Sequence, residues 1–256
     1  MIFLSKNGED RYVNDFAHGS GSIPVNTKTF NYSSSNNPIV LRGIMKHKIM
    51  KQCWKDQRDF YYIDTGYFGN EGTWKFWHRI VKNNLQHTEI VDRPPDRFQQ
   101  FKKKIHSWKT NGRKILIAMP DEKPCKFYDT TPKQWLINTI NTLKQYTDRP
   151  IEIRERAKQR SERMKDTLEQ ALRKDVFALV TFNSIAATES VFFGIPVFTL
   201  APNAAGPMGK QDLTEIETPA YPTDDERFRW ACHLAYGQFH IRELKNGSAW
   251  SILLEH

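Results

Sequence analysis

The 256-residue chain is poor in cysteine, with three residues scattered at Cys53, Cys125 and Cys232. They form no CxxC and no metal-ligand spacing, so a zinc-held or disulfide-stapled fold is excluded and the thiols read as bystanders in a reducing compartment. Long apolar runs are missing too: no stretch approaches the roughly 20 residues that cross a bilayer. The opening residues, MIFLSKNGED, reach charge and glycine too soon for a secretory leader. These absences set the expectation of a cytoplasmic protein with no membrane span. GxGxxG and GxxxxGK[ST] are absent, so dinucleotide oxidoreduction and P-loop hydrolysis drop out. Neither HExxH nor a DxD of the nucleotide-sugar type occurs, and no metal or cofactor is expected.

What is present is core-forming. Hydrophobic residues make up 39% and aromatics 12%, with sixteen Phe and seven Trp, a composition that can bury real cores and is not that of a disordered chain. The formal charge is +9, which solubility alone would explain or which points to an anionic partner such as nucleic acid or nucleotide phosphates.

Strand and helix patterns alternate. IFL, IVLRGI and DFYYID read as strands, with EDRYVNDFAHGSG and MKHKIMKQCWKD as helices between them. PPDRFQQFKKKIHSW reads as a helix with Phe98, Phe101, Ile105 and Trp108 on one face. From residue 114 the alternation is cleaner. RKILIAMP, RPIEIRER, VFALVTF and IPVFTL are strands, separated by helices in TPKQWLINTINTLKQYT, SERMKDTLEQALRK and SIAATESVFFG. TDDERFRWACHLAYGQF is a helix with an Asp or Thr cap and an acidic first turn, and IRELKNGSAWSILLEH a short last one. The expected fold class is α/β: two Rossmann-like lobes with parallel sheets and a cleft between them, divided as residues 1–111 and 112–256.

In open parallel sheets, ligands collect at the carboxyl ends of strands, where the next helix offers free N–H groups to an anion. LVTFNSIAATESVFFGIPVF, residues 179–198, fits that geometry: a buried strand, an Asn183-Ser184 turn, a helix carrying Thr188 and Glu189, then Gly-Ile-Pro into the next strand. Those polar residues suit either a capped β-α-β unit or a phosphate and ribose site.

The same stretch resembles the donor-binding segment of GT-B glycosyltransferases, and is most similar to the capsule-polysaccharide and sialyltransferase-like groups. There a Ser-containing turn contacts the nucleotide phosphate, and an A/S-x-E helix supplies a Glu to ribose or base. The resemblance implies donor contacts at Asn183, Ser184, Thr188 and Glu189. Upstream, RPIEIRER is similar to the strand that ends in a His-Pro or basic motif; the His-Pro pair is absent here, leaving Arg154 and Arg156 in its place. With Lys210 they are the candidate cations for a departing diphosphate, and the nucleotide-sugar is a substrate, not a cofactor. The rest of the chain resembles bacteriophage proteins, among which GT-B enzymes glycosylate hydroxymethylated pyrimidines in DNA. That context, with the basic charge, implies DNA as the acceptor; a polysaccharide or lipid-linked glycan is the alternative, and a non-catalytic nucleic-acid binder is another.

An acceptor hydroxyl must lose a proton as it attacks. Asp64, at the end of an apolar strand and before a glycine loop, is the first candidate base, with Asp15 in reserve. Tyr67, His18, Arg79 and Lys82 are candidate acceptor contacts. Lysines mixed with rings in KHKIMKQCWK and DRFQQFKKKIHSWK suit a nucleic-acid backbone, or the solvated side of amphipathic helices. Oligomeric state, sugar and stereochemistry stay open.

Overall fold

The protein is described by a computed structural model covering residues 1–44, 47–70, 75–155 and 167–255. In the first part of the chain, β1 (Ile2–Ser5), α1 (Arg11–Gly19), β2 (Val25–Asn26), β3 (Ile39–Arg42), α2 (His47–Lys55), β4 (Phe60–Thr65) and β5 (Trp77–Lys82) follow one another. Then come α3 (Asp96–Gln99), β6 (Lys114–Ala118), α4 (Glu122–Phe127), α5 (Pro132–Tyr146), β7 (Ile151–Arg154) and α6 (Leu168–Leu172). The chain ends with β8 (Val176–Thr181), α7 (Ala186–Phe192), β9 (Val197–Thr199), α8 (Asp224–Tyr236), β10 (Gln238–His240), α9 (Ile241–Asn246) and α10 (Ser248–Leu254).

Two compact units result: Met1–Leu85 with Leu234–His256, and Gln86–His233. The sequence placed its break at residues 111 and 112, and did not foresee that the last helices join the first unit. Gly112 lies hard against β8, where a Cβ would overlap the Val176 carbonyl.

The first unit holds a six-stranded sheet in the order β10-β5-β4-β3-β1-β2. Its centre is parallel, and β5 and β10 extend it in antiparallel fashion. Phe3, Val40, Ile63 and Ile80 present one face, on which Val13, Phe16 and Ala17 of α1 and Leu244 of α9 pack. The Asp10 carboxylate caps α1 through Val13 N.

The second unit is a four-stranded, wholly parallel sheet in the order β7-β6-β8-β9. All six residues of β8 are buried, which is why that strand reads as a continuous apolar run instead of alternating. The α5 helix begins with Thr131 accepting from Gln134 N and Pro132 in its first turn. Ile137 is exposed: it lies two residues from the buried Trp135, about 200° round the helix, and Thr139 takes the inner place.

The helix expected over residues 94–108 stops after α3. Lys102 takes a left-handed φ of 49°, and the chain then runs irregularly along the start of the sheet, bonding His106 N to Phe192 O and Lys109 N to Gly194 O. Gly194 itself has φ +71°, and a Cβ there would overlap the Ser107 carbonyl. The expected α8 cap is present: Thr223 Oγ1 accepts from Glu226 N at 3.2 Å, and Glu226 Oε2 accepts from Thr223 N at 2.7 Å.

Candidate functional site

In the second unit the chain moves from β6 outward to β7, then crosses back over β6 to β8 and on to β9. The order therefore reverses between β6 and β8, the place where α/β sheets open a crevice at their carboxyl ends. A lateral row marks that edge: Arg154, Ala118, Thr181 and Thr199 are successive register partners. Thr181 Oγ1 donates to Ala118 O at 2.9 Å, tying the two switch-point strands together.

The loops beyond the row are held by residues that the motif did not include. Gln86 Nε2 donates to Asn183 O at 2.5 Å, and its Oε1 accepts from Ala204 N at 3.1 Å. Asn203 Nδ2 donates to Ser184 O at 3.1 Å while its Oδ1 accepts from Ala205 N at 2.8 Å. The buried Trp230 donates to Ala204 O at 2.7 Å. Two post-strand loops, after β8 and after β9, are thus locked together by side-chain amides. A sequence signal that could have found them is the turn-rich PNAAGP that follows β9.

The expected donor residues are placed as follows. Asn183 is buried and Ser184 half-buried, directly after β8. Ser184 Oγ accepts from Ala186 N at 3.2 Å, so it works as a turn cap. Thr188 is fully buried, below the surface where the motif placed a ligand contact, and its hydroxyl has no hydrogen-bond partner among the described residues. Glu189 is half-buried in the first turn of α7, where its charge suits the helix dipole. Arg154 ends β7 on the same edge as Thr181. Lys210 flanks β9 and its amine is committed to Glu215 Oε1 at 2.7 Å. Arg156 lies outside the described residues.

In the first unit, Asp64 stands at the carboxyl end of β4. Its Oδ2 accepts from Tyr62 OH at 2.7 Å and from an Arg79 terminal nitrogen at 3.1 Å, and its Oδ1 from Thr65 N at 2.7 Å. Burial pushes the carboxyl pKa up, but the Arg79 charge and the Tyr62 and Thr65 hydrogen bonds outweigh it and hold Asp64 below the usual range. Arg79 is buried, with Nε on Leu85 O at 3.0 Å and another nitrogen on Thr65 O, so it is an internal anchor and not the exposed acceptor contact expected. Tyr67 is likewise buried, its ring 5.4 Å from the Arg79 guanidinium carbon and its N–H on Gln238 Oε1 at 2.7 Å.

Lys82 is at the opposite end of the strands. It sits beside Tyr61 and pairs with Asp59 at 2.8 Å, about 10 Å along the ladder from Asp64. Asp15 and His18 both lie on α1: Asp15 pairs with Arg11 at 3.5 Å, and His18 is exposed in the last turn. Helices return from the carboxyl edge, so His18 ends up away from it.

A further polar group on the α1 side of the same edge has no sequence motif, because its members come from separate elements. Arg42 lies 3.5 Å from Asp10 Oδ2 and 4.4 Å from the Tyr12 ring centre. Tyr12 in turn packs on His78 with ring centres 3.9 Å apart. His78 Nε2 meets Lys75 O at 3.1 Å, and burial pushes its pKa down to about 4. Among the described residues no cluster of three or more His, Cys, Asp or Glu is placed to hold a metal ion. No described helix is long and apolar enough to cross a membrane.

Two α/β units with mostly parallel sheets give the chain the GT-B-like glycosyltransferase fold, as comparison with solved structures shows. Those structures include the KpsC β-Kdo 2,4 transferase of Thermosulfurimonas dismutans, with a TM-score of 0.52 over 90% of this chain and 87% of that one at 10% identity. They also include the KpsC β-Kdo 2,7 transferase of the same organism, with a TM-score of 0.54 over 96% and 99% at 10% identity. No family model and no curated protein matches the sequence. At such identity the likeness is one of fold.

Proposed function

We propose that this chain is a glycosyltransferase that moves a sugar from a nucleotide-sugar to a hydroxyl of a glycan, polysaccharide or lipid-linked. The observation that carries the reading is the Asn183-Ser184 turn at the point where the order of the parallel sheet reverses. The fold neighbours, named as Kdo transferases, support a glycan acceptor better than a DNA base. The hydroxymethylpyrimidine acceptor expected from the sequence keeps only the net charge in its favour.

In this reading Ser184 and the N–H groups after β8 hold the phosphate or diphosphate of the leaving nucleotide, Arg154 offsets its growing charge, and Glu189 takes nucleoside hydroxyls. The acceptor oxygen attacks the anomeric carbon, the bond to the nucleotide phosphate breaks, and the acceptor proton passes to a carboxylate, for which Asp64 is the candidate. Asp64 is ionised and so able to accept a proton, but Arg79 makes it a weak base until the acceptor displaces that contact.

The test is release of free nucleotide from a panel of UDP-, GDP- and CMP-sugars. It is run with an acidic or neutral oligosaccharide acceptor, or with duplex DNA containing hydroxymethylcytosine. Turnover with oligosaccharide alone supports the reading; turnover with DNA alone returns the acceptor to the nucleic acid, and none with any donor removes the enzyme.

A further inference from the structure

The irregular segment after α3 lies along the amino ends of the second unit's strands. Its main chain bonds at Phe192 and Gly194, before β9, and at Asp175, before β8. It then enters β6 at Lys114. Lys109 Nζ reaches Leu172 O at 3.2 Å, at the end of α6. The amino edge therefore collects cations from two stretches, residues 102–113 and 173–174, that are well separated in sequence.

Lys102, Lys104, Arg113, Arg173 and Lys174 are all exposed there. The carboxylates paired at this edge include Asp175 with Arg113 at 2.5 Å, Glu169 with Arg173 at 2.7 Å and Glu152 with Lys114. Lys102, Lys104 and Lys174 have no carboxylate partner among the described residues. Such crowding of like charge costs stability, so an anionic partner would relieve it. His106 feels the crowding: burial first, and then Lys104, Arg173 and Lys109, lower its pKa.

The rings at this edge are already occupied. His106 lies parallel to Phe193 with centres 5.5 Å apart, and the Arg173 guanidinium carbon is 5.8 Å from the same ring. Lys103 Nζ sits 5.2 Å from the Phe192 ring centre. Single-stranded nucleic acid needs free aromatic faces for its bases, and these are not free. What remains is a patch of lysine and arginine tips on long stems, suited to a diffuse layer of negative charge.

We propose that this basic edge, built from Lys102, Lys104, Lys109, Arg173 and Lys174, docks the second unit on an anionic lipid surface. The patch lies at the amino ends of the strands and Ser184 at their carboxyl ends, about 20 Å apart over a six-residue strand. A bilayer held at one edge leaves the other open.

The test is sedimentation of the full chain with vesicles of phosphatidylcholine, with and without 30% phosphatidylglycerol. Binding should require the anionic lipid and fall steeply with salt. The Lys102→Gln, Lys104→Gln, Lys174→Gln variant should lose roughly a hundredfold in partitioning, since each cation near such a surface is worth about fivefold. Lys48→Gln, Lys51→Gln, Lys55→Gln on α2 removes the same charge and should bind almost as the parent does. Equal losses in both variants would reduce the effect to net charge and overturn the assignment. So would absence of binding to anionic vesicles, or binding of heparin or single-stranded DNA with vesicles ignored.

Discussion

Thr181 of β8 donates its hydroxyl to the main-chain oxygen of Ala118 on β6, 2.9 Å away, with both residues buried. The bond spans the two strands between which the sheet order reverses. A hydroxyl spent there fixes the spacing of the edge from which the Asn183-Ser184 turn projects. Thr181→Val keeps the volume and the β-branch but leaves the Ala118 oxygen one partner short. It should cost about 1–2 kcal/mol in denaturant unfolding and weaken nucleotide binding severalfold. An unchanged midpoint and unchanged affinity would show that the bond positions nothing.

Ser184 has two roles to separate, cap and phosphate contact. Ser184→Ala removes both and should lower stability by about 1 kcal/mol. Ser184→Asp keeps a capping acceptor but adds a negative charge where the nucleotide phosphate is placed. It should unfold within about 0.5 kcal/mol of the parent yet bind nucleotide at least tenfold more weakly, as titration calorimetry would show. Parental affinity in Ser184→Asp would leave the residue as a cap alone.

Asp64 and Arg79 answer for each other. Asp64→Asn leaves a buried guanidinium without its counter-charge, and with the carboxylate side chain 37% exposed the expected cost is about 1–3 kcal/mol. Adding Arg79→Met should restore part of that stability. If Asp64 also takes the acceptor proton, Asp64→Asn lowers kcat by about a hundredfold or more while nucleotide affinity holds. Full turnover in the variant would reduce Asp64 to an internal ion pair.

Acid should destabilise the protein through its buried imidazoles. Burial pushes both His78 and His233 down to about 4. Between that value and the ordinary 6.5 the unfolded chain binds protons that the folded chain does not, so stability rises with pH across the window and is lost as pH falls. The full loss by pH 4 is roughly 3 kcal/mol for each. Asp64 adds to it below about pH 4, since its lowered carboxyl gives stability that disappears as pH falls through the folded value. Urea melts of the parent and of a His78→Gln, His233→Gln variant from pH 7 to 4 read this directly. A parental midpoint that stays flat across that range would contradict it.

The strongest elements were legible because their patterns are local. β8 is an unbroken apolar run, α5 opens on Thr-Pro, and Thr223 and Glu226 write the cap of α8. The strand, Asn-Ser turn and helix over residues 179–192 were legible too, being a short-range feature; that the sheet order reverses beside them was not. The misses are long-range. Arg79 was read as an acceptor contact, yet it is buried by the pairing of β5 with β4 and β10, which no local pattern reveals. Residues 101–108 have helical spacing, but the chain leaves the helix at Lys102 and the His106 amide is taken by the Phe192 carbonyl, far away in sequence. Gln86, Asn203 and Trp230 brace the candidate site from three separate stretches, and a polar residue that bonds only to main chain leaves no motif.

The central claim, a nucleotide-sugar site at the carboxyl edge of the second unit, is tested most directly by thermal shift. UDP, CMP, GDP and their sugar conjugates are offered at low millimolar concentration to the parent and to Ser184→Asp. A ligand at about 100 times its dissociation constant adds roughly 2.7 kcal/mol, a rise of several degrees in Tm for a chain of this size. The account predicts that one nucleotide class raises the parental Tm and that Ser184→Asp abolishes the rise. A panel without any shift, or an equal shift in both proteins, would contradict it.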